Sequence, residues 1–98
     1  MKAVPILRQK RTDAKGNLKD IVVWKVEPGL KYPDGVRYRY AFIPKGRPGP
    51  AVLYDNHYPK GHHKHLEGKE IPYSYIDDEK LLADFQKDVT DWKRKNES

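Results

Sequence analysis

The clearest pattern along the chain is an alternation of side-chain type over residues 36–43, which read VRYRYAFI. Successive side chains of a β-strand point to opposite faces, so residues two apart share a face. The alternation predicts a strand with one apolar and aromatic face that meets the core, formed by Val36, Tyr38, Tyr40 and Phe42. Arg37 and Arg39 should then stand side by side on the opposite face.

Other patterns predict further strands on both sides of this one. The clearest of them, residues 18–27, is rich in β-branched and aromatic residues, and the patterns are separated by Gly, Pro, Asn and Asp, which favour turns. The predicted strands cover residues 4–7, 18–27, 51–56, 62–65 and 70–75. Pro72 favours an edge position for the last of them, because proline donates no ladder hydrogen bond.

A helix is predicted after Asp77, near the end of the chain. Asp77 is a good N-cap, acidic residues follow it, and basic residues 93–95 complement the opposite end of the helix dipole. The side of this helix that is predicted to be buried is a stripe of apolar residues at helical spacing: Leu81, Leu82, Phe85, Val89 and Trp92.

Together these elements predict an α+β fold in a single domain, residues 1–98. We expect an antiparallel β-meander of about four to six strands with one amphipathic C-terminal helix packed across one face. A single helix leaves the second sheet face to water or to a partner. Arg37 and Arg39 are expected on that uncovered face.

Composition narrows the class of protein. The net charge is +6, and the chain has no cysteine, so disulfides and thiolate metal sites are excluded. Residues 1–25 carry seven basic and two acidic side chains, whereas residues 66–98 carry six basic and nine acidic ones. A basic surface attracts nucleic acid or acidic partners.

With no apolar run near the roughly 20 residues that span a bilayer, we expect a cytoplasmic protein without a membrane role.

All four histidines lie within residues 57–65, directly after Tyr54, Asp55 and Asn56. Histidine exchanges protons near neutral pH, which suits cleavage of RNA by attack of the ribose 2′-OH. On a strand, His63 and His65 share a face and His62 points away. The candidate catalytic residues are His63, His65, Asp55 as orienting carboxylate and Tyr54 as proton donor or positioning group. The candidate phosphate-binding residues are Arg37, Arg39, Lys60 and Lys64.

Two other interpretations of the histidine segment stay open. Asp55 with two or three histidines supplies ligands suited to zinc, nickel or manganese, although the neighbouring lysines would repel a cation. The segment could instead be a hydrated loop in which Asp55 and Asn56 cap the backbone. We predict no metal and no cofactor.

Residues 54–89 resemble the TumE-type toxins of prokaryotic toxin–antitoxin systems. The resemblance lies in a Tyr-Asp-Asn triplet, an H-x-H pair and a final helix with a Leu…Asp-Phe pattern. In this chain those features fall on Tyr54, Asp55 and Asn56, on His63 and His65, and on Leu81, Leu82, Asp84 and Phe85. His57 and the Tyr58-Pro59-Lys60 insert depart from the pattern.

The resemblance implies a toxin with a cognate antitoxin as partner. Toxins of this size commonly act on RNA or on the translation machinery, which fits a basic face beside titratable groups. We therefore predict a metal-independent endoribonuclease that uses histidine acid–base catalysis. The alternative is a non-enzymatic module that binds RNA or protein. The sequence leaves the oligomeric state open, with a homodimer as one option.

Overall fold

A computed structural model describes residues 3–97. The described chain folds into six strands followed by one helix. The elements are β1 (Val4–Thr12), β2 (Leu18–Lys25), β3 (Val36–Ile43), β4 (Val52–Asp55), β5 (His63–Leu66), β6 (Lys69–Pro72) and α1 (Asp78–Asn96).

The strands form one sheet in sequence order, and each strand pairs antiparallel with the next. This arrangement confirms the predicted α+β meander with a C-terminal helix. One strand is longer than predicted: β1 continues past Leu7 to Thr12, because Arg8 to Thr12 pair with β2 in unbroken register up to the turn. In this basic stretch, cross-strand hydrogen bonds and not apolar alternation define the strand.

The helix begins and ends where the sequence predicts. The Asp77 side chain accepts a hydrogen bond from the backbone N–H of Lys80 at 2.8 Å, which caps the first turn. Leu81, Phe85 and Val89 are buried against the sheet, and Trp92 is partly buried. Leu82 is an exception, because it is 37% exposed and does not join the buried stripe.

The helix divides the sheet into two unlike faces. On the helix-covered face, Tyr38, Tyr40, Phe42, Val52 and Tyr54 form the core with the helix. We call the other side the open face. It carries the intervening side chains of each strand, including Arg37 and Arg39, as predicted from the alternation in β3.

Hydrogen bonds from tyrosines fasten the helix to the sheet and to the segment after β6. Tyr54 donates to Asp88, Tyr73 donates to Asp84 at 2.6 Å, and Tyr75 donates to Asp78 at 2.6 Å. A phenol needs a partner when its ring is buried, and a carboxylate is a strong acceptor. Some of the acidic residues in the C-terminal third therefore help to hold the helix against the sheet.

In the part of the chain that the structure describes, no helix is both long and apolar enough to cross a membrane.

Candidate active site

Strand register brings three predicted site residues together on the open face. Arg39 lies opposite Asp55 across β3 and β4, and Asp55 lies opposite His63 across β4 and β5. Directly opposite residues in an antiparallel pair point to the same face with their Cβ atoms about 5 Å apart. The sheet therefore aligns a cation, a carboxylate and an imidazole in one row.

His63 is buried and both of its ring nitrogens have partners. Its Nε2 lies 2.8 Å from Oδ1 of Asp55, and its Nδ1 lies 2.7 Å from the carbonyl oxygen of Gly61. A carbonyl and an ionised carboxylate only accept hydrogen bonds. Nδ1 therefore donates to the Gly61 carbonyl, and Nε2 is the nitrogen that faces Asp55 in ion-pair contact.

His65 follows on the same face and is more accessible. Its ring centroid lies 5.0 Å from that of His63, and the two ring planes are nearly perpendicular at 77°. The side chain is 27% exposed, and its Nε2 lies 3.8 Å from Oε1 of Glu70, which is beyond hydrogen-bond distance. His65 thus has a ring nitrogen that a substrate can reach.

Glu70 is a member of this cluster that the sequence analysis did not select. It lies opposite His65 across β5 and β6, and its Oε1 also accepts a hydrogen bond from Lys60 Nζ at 2.7 Å. The Lys60 ammonium lowers the pKa of the Glu70 carboxyl. The predicted strand over residues 70–75 contained Glu70, but only the pairing of β6 with β5 shows that it faces His65.

Arginines flank the cluster on the open face. Arg39 is exposed beside Asp55, and the Arg37 guanidinium lies 5.1 Å from the centre of the Trp24 ring, in cation–π contact. An Arg37 nitrogen also approaches Nδ1 of His57 at 3.4 Å. A groove of about 790 Å³ beneath the β2–β3 loop is bordered by Arg37 and Tyr32.

The structure does not bring Tyr54 and Lys64 to this cluster, which corrects their predicted grouping with His63 and His65. Tyr54 is fully buried on the helix-covered face, where Asp88 accepts its hydroxyl hydrogen bond. Burial, followed by the Asp88 carboxylate, raises the pKa of Tyr54. Lys64 lies opposite Tyr54 and forms an ion pair with Asp88 at 3.1 Å. Alternation in β4 and β5 turns both side chains away from the open face.

His62 points away from His63 and His65, as alternation predicts. Its Nδ1 lies 2.9 Å from the Tyr38 hydroxyl and its Nε2 lies 2.8 Å from Asp34. The ring stacks on Tyr75 at a centroid distance of 4.6 Å. These contacts give His62 a packing role between β3 and the segment before the helix.

Three residues of the open face have ligand atoms close enough to share a metal ion. One ligand atom each from His63, His65 and Glu70 lies within 4.8 Å of the other two. Nitrogen and carboxylate ligands of this kind suit borderline divalent cations such as zinc.

The fold and the cluster define a small α+β protein with arginines and a pair of neighbouring histidines on its open sheet face. A family model described as Toxin TumE matches residues 4–93. The chain belongs to the TumE toxin family, and the match confirms the resemblance and extends it well beyond residues 54–89. Comparison with curated proteins and with solved structures gave no match.

Proposed function

We propose that this toxin is a metal-independent endoribonuclease that acts on RNA in the cytoplasm. The observation that carries the proposal is the open-face cluster, in which the ring centroids of His63 and His65 lie 5.0 Å apart and Arg39 stands in the same row as His63, with Asp55 between them. Cleavage by the ribose 2′-OH needs a base, an acid and cations near one phosphate. The cluster supplies the base and the acid on β5, and Arg39 lies on the same face two strands away, at roughly 10 Å.

The two histidines take different roles because their surroundings differ. His65, whose Nε2 is 3.8 Å from the nearest carboxylate oxygen of Glu70, accepts the proton of the 2′-OH. His63, whose ring nitrogens both face acceptors, donates a proton to the leaving 5′ oxygen. Asp55 positions the His63 ring.

Arg39, Arg37 and Lys60 supply the positive charge. Arg39 is exposed on the same row as Asp55 and His63, and Arg37 is two residues away on the same face. Guanidinium groups bind phosphate oxygens in a bidentate manner, which holds the scissile phosphate and stabilises charge that develops on it. Lys60 forms an ion pair with Glu70, so its ammonium also lies at the cluster and adds positive charge there.

The decisive experiment is cleavage of a structured RNA by purified protein in the presence of EDTA. We expect cleavage by the wild type and loss of at least about 100-fold for His65→Ala and His63→Ala, the usual contribution of a general acid or base. Undiminished cleavage by both variants would contradict the site. No cleavage by the wild type would contradict the activity.

Tyr54→Phe is the matched control for this experiment. It removes a hydroxyl that Asp88 binds on the helix-covered face, away from His63 and His65. We expect cleavage at the wild-type rate at a temperature where the variant is folded. A loss as large as that of His65→Ala would restore Tyr54 to the site.

A second function is favoured by the geometry of His63. Because both of its ring nitrogens are engaged and its side chain is only 8% exposed, the open face could instead bind RNA or protein without chemistry. In that case Arg37→Gln and Arg39→Gln would abolish toxicity, whereas His65→Ala would retain it. Growth after induced expression of the three variants separates the two functions.

The cognate antitoxin is proposed to cover the open face with an acidic segment. Arg8, Arg37 and Arg39 point there from β1 and β3, and an acidic partner would complement their charge. Hydrogen exchange of the complex with the protein encoded by the adjacent gene should show slowed exchange in β3 to β5. Slowed exchange confined to the helix would contradict this placement.

A further inference from the structure

We propose that His63, His65 and Glu70 form a binding site for a zinc-class divalent cation, and that the bound cation inhibits the toxin. The three side chains come from neighbouring strands, and one ligand atom of each lies within 4.8 Å of the others. Two imidazoles and a carboxylate are a common three-residue zinc ligand set with an open fourth position.

The backbone already orients His63 for this role. Its Nδ1 donates to the Gly61 carbonyl at 2.7 Å, which leaves Nε2 as the nitrogen that faces the cluster. A metal-binding histidine usually fixes its second ring nitrogen in this way, on a backbone carbonyl or a carboxylate. The ring is buried, so little side-chain freedom remains to be lost when a cation binds.

Asp55 lies beside the three ligands. Its Oδ1 is 2.8 Å from Nε2 of His63, so its carboxylate would stand next to a bound cation and offset part of the charge. Nε2 of His65 and Oε1 of Glu70 are 3.8 Å apart, and they need to approach only slightly to reach the roughly 3.4 Å between tetrahedral ligands of a zinc ion whose bonds are about 2.1 Å long.

Lys60 competes with the cation for Glu70. Its ammonium lies 2.7 Å from Oε1, but the two side chains are 62% and 44% exposed. An exposed ion pair contributes about 0 to 1 kcal/mol, so Lys60 can be displaced at small cost. Removal of Lys60 should therefore strengthen cation binding, whereas removal of a ligand should weaken it.

The inhibitory part of this proposal rests on the proposed function. A cation held by His65 and by Nε2 of His63 occupies the nitrogens that would accept and donate the protons of RNA cleavage. Zinc would then switch off a nuclease that needs no metal for its chemistry. The binding part stands whether or not the protein cleaves RNA.

Binding is tested by calorimetric titration of tag-free full-length protein with zinc chloride. We expect one zinc ion per chain, with affinity reduced at least about tenfold in His65→Ala and in Glu70→Gln. Glu70→Gln keeps the shape of an exposed side chain, so it reports on ligation even if a histidine variant is destabilised. Lys60→Gln should bind zinc more tightly than the wild type.

His57→Ala is the matched control, because His57 belongs to the same histidine-rich segment but its imidazole contacts Arg37, and only its backbone N–H, which the substitution keeps, contacts Asp55. Its affinity should equal that of the wild type. Absence of binding, or equal weakening by His57→Ala and His65→Ala, would overturn the site. If zinc binds as expected but leaves RNA cleavage unchanged, the inhibition is wrong and the site stands.

Discussion

The Asn56 side chain makes the hydrogen bonds to β3 that further backbone residues of β4 would otherwise make. It is buried just beyond β4, where its amide donates to the Val36 carbonyl at 2.8 Å and accepts from the Tyr38 N–H at 2.9 Å. These are the backbone groups that a longer β4 would have satisfied. Asn56 thereby holds the end of β3 beside the strand that carries Asp55.

Replacement of Asn56 by alanine should lower the free energy of unfolding by about 2 to 4 kcal/mol, because it leaves two buried backbone groups without partners. Urea denaturation followed by tyrosine and tryptophan fluorescence measures this change. Asn96→Ala, at an exposed position near the helix end, should change the free energy by less than about 0.5 kcal/mol. Equal effects of the two variants would contradict the role of Asn56.

The helix is held to the sheet by apolar packing and by carboxylates. Phe85 packs edge-on against Tyr40 and Tyr54, at centroid distances of 5.5 and 5.9 Å. Beside this core, Asp84 accepts hydrogen bonds from Lys80 at 2.8 Å and from the Tyr73 hydroxyl at 2.6 Å. Lys80, followed by Tyr73, lowers the pKa of Asp84 from its ordinary value of 3.8.

This lowered pKa predicts how stability depends on pH. Because the carboxylate is favoured in the folded state, Asp84 stabilises the protein above pH 3.8, and this contribution is lost as the pH falls through the lower folded pKa. Asp84→Asn should therefore be less stable than the wild type at pH 6, and the gap should close towards pH 2. Urea denaturation across this range measures the gap, and a gap independent of pH would contradict the prediction.

At the scale of the whole molecule, the two sheet faces have separate tasks. The helix-covered face holds the core, including Tyr38, Phe42 and Tyr54, all at most 1% exposed. The open face carries Arg37, Arg39 and the histidine pair. This separation lets the molecule present charge on one side without interrupting its packing on the other.

If the open face binds RNA, the affinity for RNA should fall as the salt concentration rises. Each phosphate contact to a single strand contributes about 0.7 to the slope of log affinity against log salt, through release of counterions. Arg39→Gln should reduce the slope by about that amount, measured by fluorescence anisotropy of a labelled RNA. Lys87→Gln, which removes the same charge from an exposed position on the helix, should leave the slope unchanged.

Much of the fold could be predicted because its signals are local. The limits of β3 follow from alternation, and the start of the helix follows from the Asp77 cap. The shared face of His63 and His65 follows from their spacing on β5. The same rule separates Tyr54 from Asp55, because adjacent residues of a strand point to opposite faces; the predicted grouping of Tyr54 with the histidines did not apply alternation to β4.

The sequence by itself determined the position of each strand, the helix, the positive charge and the shared face of His63 and His65, because each depends on neighbours along the chain, whereas the second half of β1 depends on its pairing with β2. Only the tertiary structure decided which side chains meet. Pairing of β5 with β6 brings Glu70 to His65, and pairing of β4 with β5 brings Asp55 to His63. The position of the helix then buries Tyr54 and leaves the histidine pair on the open face, since strand order and coverage depend on contacts between residues distant in sequence.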